Sequence, residues 1–172
     1  MSEPRYFFAL WPNKDAQDQL SALAHSSEVS EGRRHHADDL HITLVFLGQI
    51  AASQRRCIED VAEGIRLAPF KLTIDHTGYW SRPKIFWASP GKTPQALKQL
   101  VADLNNGLNG CGFEAERRPY KPHVTLIRKA RKVVSTQLEI PITWQVNDFV
   151  LASSADVGSS GRRYQVLRRW GV

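Results

Sequence analysis

The tetrapeptide His-x-Thr-Leu occurs twice in this chain, as His41-Ile42-Thr43-Leu44 and, 82 positions later (123 − 41), as His123-Val124-Thr125-Leu126. Each copy lies in a β-branched, apolar run that predicts a strand. Alternate side chains of a strand leave the same face, so His41 points with Thr43 and His123 with Thr125. Leu44 and Leu126 then turn the other way, into apolar packing. We read the whole chain as a scaffold that brings these two strands face to face, so that two imidazoles and two hydroxyls could line one cleft, although the duplication is also compatible with an ordinary single sheet.

That set suits phosphoester chemistry. Imidazole titrates near neutrality, so one of two rings can hold a proton while the other accepts one. Threonine hydroxyls can donate to phosphoryl oxygens and stabilise the charge that grows on them. No metal is required. A single His-x-Thr is a common tripeptide whose histidine is usually packed or solvated; the second copy, with the same fourth residue, carries the functional reading.

The rest of the chain reads as strands and helices in alternation. Residues 6–11 form an aromatic strand closed by Pro12, and Asn13 caps a helix with Ala16, Leu20, Leu23 and Ala24 on its apolar side, ending near Ser26. Residues 27–39 are polar and aperiodic, hence a loop. His35 and His36 lie there, but adjacent side chains diverge on an extended chain, and no cysteine accompanies them as a metal site would need. Ser53 is expected to cap a second helix with the stripe Cys57, Ile58, Val61, Ala62 and Ile65, ended by Pro69. Phe70, Leu72 and Ile74 alternate as a strand, a turn is expected over 75–78, and residues 84–88 form a further strand. Thr93 is expected to cap a third helix with Pro94 in its first position and Leu97, Leu100, Val101, Leu104 and Leu108 on one side.

A short extended stretch is expected over 111–116. Pro119 and Pro122 stiffen the loop that delivers His123. Residues 130–141 are weakly patterned; Ile142, Trp144 and Val146 alternate, residues 149–152 continue in apolar form, residues 158–161 turn, and residues 163–170 make the last strand. The order apolar strand, helix, His-x-Thr-Leu strand appears in both halves and suggests an internal duplication.

The runs over residues 40–48 and 118–126, the Arg-x-Phe-Phe-Ala start (Arg5 to Ala9) and the Arg-Tyr-x-x-Leu-x-x-Trp ending (Arg163 to Trp170) together resemble the two-histidine phosphoesterases. More narrowly, they resemble the bacterial RNA 2′,3′-cyclic phosphodiesterases, also called 2′-5′ RNA ligases. The resemblance implies one bilobal domain over residues 1–172 of the α+β class. Its two pseudo-symmetric lobes would each be a mainly antiparallel sheet backed by helices, with both His-x-Thr motifs in a central cleft. It implies hydrolysis of a terminal 2′,3′-cyclic phosphate on RNA to a 2′-phosphate, with His41 as proton donor and His123 as acceptor. Thr43, Thr125 and Arg128 would bind the phosphate, with no cofactor and no metal. Run in reverse, the same pair would join RNA ends in a 2′-5′ linkage without ATP. Two other readings stay open: a phosphodiesterase for a small cyclic nucleotide such as ADP-ribose 1″,2″-cyclic phosphate, and a non-catalytic RNA- or nucleotide-binding module.

Arg128 stands five residues after His123, as Phe46 does after His41. Strict alternation turns both away from the histidines, so either reaches the cleft only if its strand bends after the motif leucine; Phe46 is read as core. The formal charge of +6 and a pI near 9.6 favour an anionic partner without deciding which; the resemblance implies RNA ends, tRNA fragments among them. Seven basic residues fall between 117 and 132, from Arg117 to Lys132. Only two cysteines, Cys57 and Cys111, and no apolar run of about 18 residues point to a reduced, cytoplasmic protein without a membrane segment, and a monomer is expected. Cys57 is read as a small core residue.

Overall fold

The computed structural model describes residues 2–27, 29, 31–131, 135–155 and 158–172; Lys132 of the basic run lies outside them. Its elements are β1 (Tyr6–Leu10), α1 (Lys14–Ser26), β2 (Arg33–Arg34), β3 (Ile42–Gly48), α2 (Ala52–Glu63), β4 (Phe70–Trp80), β5 (Ile85–Ser89), α3 (Gln95–Asn109), β6 (Val124–Arg128), β7 (Gln137–Val146), β8 (Asp148–Ser154) and β9 (Tyr164–Gly171). The architecture is α+β, and every strand pair is antiparallel.

The hydrogen-bonded order is β7-β4-β5-β6-β3-β1-β8-β9, with β2 on the side of β6. The two motif strands, β6 and β3, stand at its centre and share only the pair Ile42 and Val124. Outward from this seam each half repeats one order: motif strand, then the strand that precedes a helix, then two further strands. One sheet face packs against the helices. Phe8 and Leu10 of β1, Leu72 and Ile74 of β4, and the stripe Leu97, Leu100, Leu104 and Leu108 of α3 meet there in one apolar core. The opposite face, the one expected to line the cleft, carries a second apolar cluster of Phe7, Ala9, Val150 and Ala152 with Trp11, Tyr164 and Val166 packed against it.

Helix signals are local and hold well. The Asn13 side chain accepts from the Ala16 N–H at 2.9 Å, and α1 ends at Ser26. The second helix starts earlier than Ser53: Ala51 is its cap residue, and the Gln54 side chain accepts the Ala51 N–H at 3.0 Å. It stops at Gly64, well before Pro69. Pro94 is the cap residue of α3 rather than its first helical position.

Three further expectations need correction. Residues 75–78 are not a turn: β4 runs through them to Trp80, and the reversal falls at 81–84. Gly78 is there for room, since a Cβ would lie 2.2 Å from Cζ2 of Trp87, its cross-strand partner. Arg33 and Arg34, inside the expected loop, pair with Arg128 and Ile127. Gly32 allows this approach, with φ +117° and a would-be Cβ 2.7 Å from Ile127. Residues 111 and 112 form a turn, and residues 113–116 pair in no strand.

Cys57 and Cys111 are joined in a disulfide, Cα to Cα 5.8 Å, which ties α2 to the turn after α3. The expectation of two reduced thiols is therefore wrong for this structure. The two spacings give no sign that both cysteines face one another; that results from α2 packing on α3, where Gly107 lets Val61 approach. No described helix is long and apolar enough to cross a membrane.

Candidate active site

Both motif histidines sit one residue before their strands, at the seam. With Ile42 opposite Val124, the antiparallel register sets His41 across from Thr125 and Thr43 across from His123. Ile42, Leu44, Val124 and Leu126 are buried on the core side, while the histidines and threonines are half-buried on the cleft side.

The loops before the motifs aim the rings. His41 Nδ1 lies 2.6 Å from the Asp39 carbonyl oxygen, and His123 Nδ1 lies 2.8 Å from that of Lys121. A carbonyl can only accept, so each ring carries its proton on Nδ1 when neutral and leaves Nε2 free to take or give a proton. The same geometry recurs in both motifs, two residues upstream of each histidine. Tyr120, from the proline-stiffened loop, donates its hydroxyl to the Thr43 carbonyl at 3.0 Å and so ties the second motif to the first.

Both strands break alternation at the motif leucine. On β3 the pairing with β1 steps from Val45 to Thr43 while β1 advances one residue; on β6 the pairing with β5 steps from Ile127 to Thr125 in the same way. Leu44 and Leu126 are thus the extra residues of two equivalent bulges, which re-aim the side chains beyond them on each strand. Arg128 is half-buried and close enough for its charge to act on His35, His41 and His123. Phe46 swings to the same side and is 76% exposed, its ring 6.2 Å from Phe7, so the core reading of Phe46 is wrong.

The two imidazoles have different surroundings. His41 stacks with Phe7 at 4.9 Å and with Trp11 at 4.8 Å, and meets Tyr164 edge-on at 5.1 Å. Burial pushes its pKa down to about 4; the Asp39 carbonyl opposes this, and the charges of Arg128 and His123 add to it. His123 touches the Trp80 ring edge at 4.6 Å and is also lowered, first by burial and then by Arg128, against the pull of the Lys121 carbonyl. Arg33 feels the positive charge of Arg128 and Arg163, and all three act on His35, so positive charge gathers on this side of the sheet in a way that suits an anion. Among the other basic residues, Arg118 pairs with Glu116 at 3.3 Å and Arg131 with Glu31 at 2.7 Å on the surface.

The sequence reading missed several contributors. Asp39, 1% exposed, uses its carbonyl on His41 and its carboxylate on the backbone N–H groups of Arg163 at 2.7 Å and Tyr164 at 3.4 Å. It therefore locks the start of β9, and with it Tyr164, against the first motif. Trp11 holds its place by donating Nε1–H to the Asp38 carbonyl at 3.0 Å. His35 and His36 do diverge: His35 is buried and stacks on Tyr164, while His36 accepts the Asp38 N–H. The aspartate two residues before the first histidine is visible in the sequence, but nothing local marks it as buried.

The chain is similar to known proteins over most of its length. A family model described as the 2′-5′ RNA ligase superfamily matches residues 12–158. The chain is 34% identical to the RNA 2′,3′-cyclic phosphodiesterase of Escherichia coli (strain K12), covering 100% of this chain and 99% of that one. It is 34% identical to the enzyme of the same name from Bacillus subtilis (strain 168), covering 73% and 72%. Among solved structures, E. coli LigT complexed with 3′-AMP matches with a TM-score of 0.89 at 33% identity, over 99% of both chains.

Proposed function

This chain belongs to the 2′-5′ RNA ligase superfamily, and from that premise we infer that it is an RNA 2′,3′-cyclic phosphodiesterase, a phosphoric diester hydrolase acting on RNA ends. The observation that carries the reading is the pair of cleft-facing imidazoles, each oriented through Nδ1 by a backbone carbonyl and both within the influence of Arg128.

In this reading the cyclic phosphate lies over the seam. Thr43 and Thr125 donate their hydroxyls, and Arg128 its guanidinium, to the phosphoryl oxygens, where negative charge grows as the fifth bond forms. Water attacks phosphorus and gives its proton to Nε2 of His123. The P–O3′ bond breaks on the opposite side, and Nε2 of His41 gives its proton to O3′, which leaves a 2′-phosphate. Nothing in this sequence of transfers calls for a metal. A ring titrating at about 4 is neutral in the free protein at pH 7, so the proton of His41 has to be held by the substrate's own negative charge.

The unit that does this is the whole chain, residues 1–172, as one bilobal domain whose halves meet at the Ile42–Val124 seam. We place it in the cytoplasm as a monomer acting on RNA ends, tRNA fragments among them. The test is turnover of an oligonucleotide ending in a 2′,3′-cyclic phosphate, in excess EDTA, by the parent and by His41→Ala and His123→Ala. Each substitution should cost about 10² to 10⁴ in rate. Binding without any ring opening by the parent would replace the enzyme with a binding module, and a 3′-phosphate product would refute the orientation.

A further inference from the structure

We propose that the aromatic cavity on the His123 side of the cleft is a binding site for a second nucleoside, the one at the 5′-hydroxyl end of an RNA that takes the place of water. The proposal rests on the phosphodiesterase reading and adds a substrate site to it.

The cavity is about 260 Å³ and lies between β4, β5 and the loop that delivers His123. Alternation puts His76, Gly78 and Trp80 of β4 on the cleft face, beside Trp87 and Ser89 of β5. Trp80 and Trp87 lie 5.2 Å apart, tilted by 43°, and Tyr120 and Pro122 close the other side. Such rings offer flat apolar surface to a heterocycle of any sequence.

The polar groups of the lining differ in how they are partnered. Trp87 Nε1–H is buried and has no hydrogen-bond partner among the described residues. A buried donor left unpaired is costly and rare. His76 and Ser89 are held instead: Asp75 bonds His76 Nδ1 at 2.9 Å, and His76 Nε2 lies 3.0 Å from Ser89 Oγ. Asp75 also accepts the Gly91 N–H at 2.7 Å. This fixed chain presents a hydroxyl to the cavity, while Lys121 stands at its edge as a charge for the following phosphate.

Position decides which nucleoside belongs here. In-line displacement puts the attacking and departing oxygens on opposite sides of phosphorus. With His41 serving the departing O3′, the cyclic-phosphate nucleoside lies on the Phe7, Phe46 and Tyr164 side, and the attacking oxygen lies beside His123. A nucleoside in the cavity can then direct its 5′-hydroxyl at phosphorus. His123 takes the hydroxyl proton, the new P–O5′ bond forms as P–O3′ breaks, and His41 protonates O3′. The product is a 2′-5′ linkage, and no other reactant is consumed.

The experiment follows one labelled RNA with a 2′,3′-cyclic phosphate end while a 5′-hydroxyl oligonucleotide is titrated, and counts joined and hydrolysed products. In the parent, the joined fraction should saturate with the 5′-hydroxyl RNA. In Trp87→Ala the half-saturating concentration should rise by about 5- to 150-fold, the loss expected for one stacked base. Hydrolysis should stay within about twofold, and Trp87→Phe should recover part of the joining. Ser89→Ala, which removes one hydroxyl and little packing, keeps the test open if Trp87→Ala melts early. A joined fraction that rises linearly without saturation overturns the proposal. So does a higher KM for hydrolysis with an unchanged product ratio, because the cavity then holds the cyclic-phosphate nucleoside. Absence of both products in the parent would overturn the phosphodiesterase reading with it.

Discussion

Burial lowers both motif imidazoles, and the form of the protein that is titrated decides how this shows in the rate. His41 titrates at about 4 and His123 below the ordinary value near 6.5. One ring must be charged and the other neutral, so the productive fraction of the free protein peaks between the two values, whichever ring is the acid. The optimum of kcat/KM, which reports the free protein, should therefore lie acid of about 6.5. The optimum of kcat should lie further alkaline, because bound phosphate favours both imidazolium forms. Coincident optima at or above pH 7 would contradict the burial argument. Arg128 lowers both rings, so Arg128→Ala should move the kcat/KM optimum alkaline and, by removing a donor to the phosphate, reduce turnover by about 10². Lys129 is exposed, and Lys129→Ala should matter only at low salt. Equal losses in the two variants would return Arg128 to the role of a general surface charge.

At the level of elements, the sequence makes legible what its own neighbourhoods control. The helix stripes, the Asn13 cap and the alternation of Phe70, Leu72 and Ile74 depend on neighbours within a turn or two, and they stand where periodicity puts them. The bulges at Leu44 and Leu126 depend on how β1 and β5 pair with the motif strands, so the sequence could state the condition for Arg128 to reach the cleft but not its outcome. The same holds for Gly78: in the sequence it reads as a turn residue, and only the pairing with Trp87 gives it another purpose. That purpose is testable. In Gly78→Ala the new methyl would meet the indole of Trp87, which has Trp80 on one side and His76 at its edge and little room to move. Overpacking of this kind costs about 1–3 kcal/mol. Urea melts should show that loss together with a shift in tryptophan emission, whereas Ala at Gly64, which meets no atom closer than 3.5 Å, should change neither. An unchanged melting curve for Gly78→Ala would mean that Trp87 is not held against β4.

Across the whole molecule, α2 is the element that spans the two halves of the sheet. It packs on α3, and its Glu59 and Glu63 bond Arg168 of β9 at 3.0 and 2.9 Å, while Glu63 also accepts from Trp170 Nε1 at 3.0 Å. The Cys57–Cys111 disulfide fastens this helix to the α3 side and closes a segment of sequence separation 54 that contains β4, β5 and α3. Closing a loop of that size restricts the unfolded chain and should contribute about 2–4 kcal/mol. The site itself is held by other means: the Ile42–Val124 pair, the Tyr120 hydroxyl on Thr43 and the Asp39 anchor, all on or near the cleft rather than at the helix layer. Reduction should accordingly lower the urea midpoint and leave turnover at 25 °C within about twofold, and Cys57→Ser should behave like the reduced protein. The distinction has a bearing on location, because a reducing cytoplasm keeps most thiols free. A protein that works there must tolerate the open form, which is what the expected retention of turnover amounts to. The measurement is thiol titration, urea melting and cyclic-phosphate turnover on the same samples, with and without reductant. Turnover that falls with reduction while the protein stays folded would show that the bond also sets the position of the two halves, and that scaffold and site are not separate.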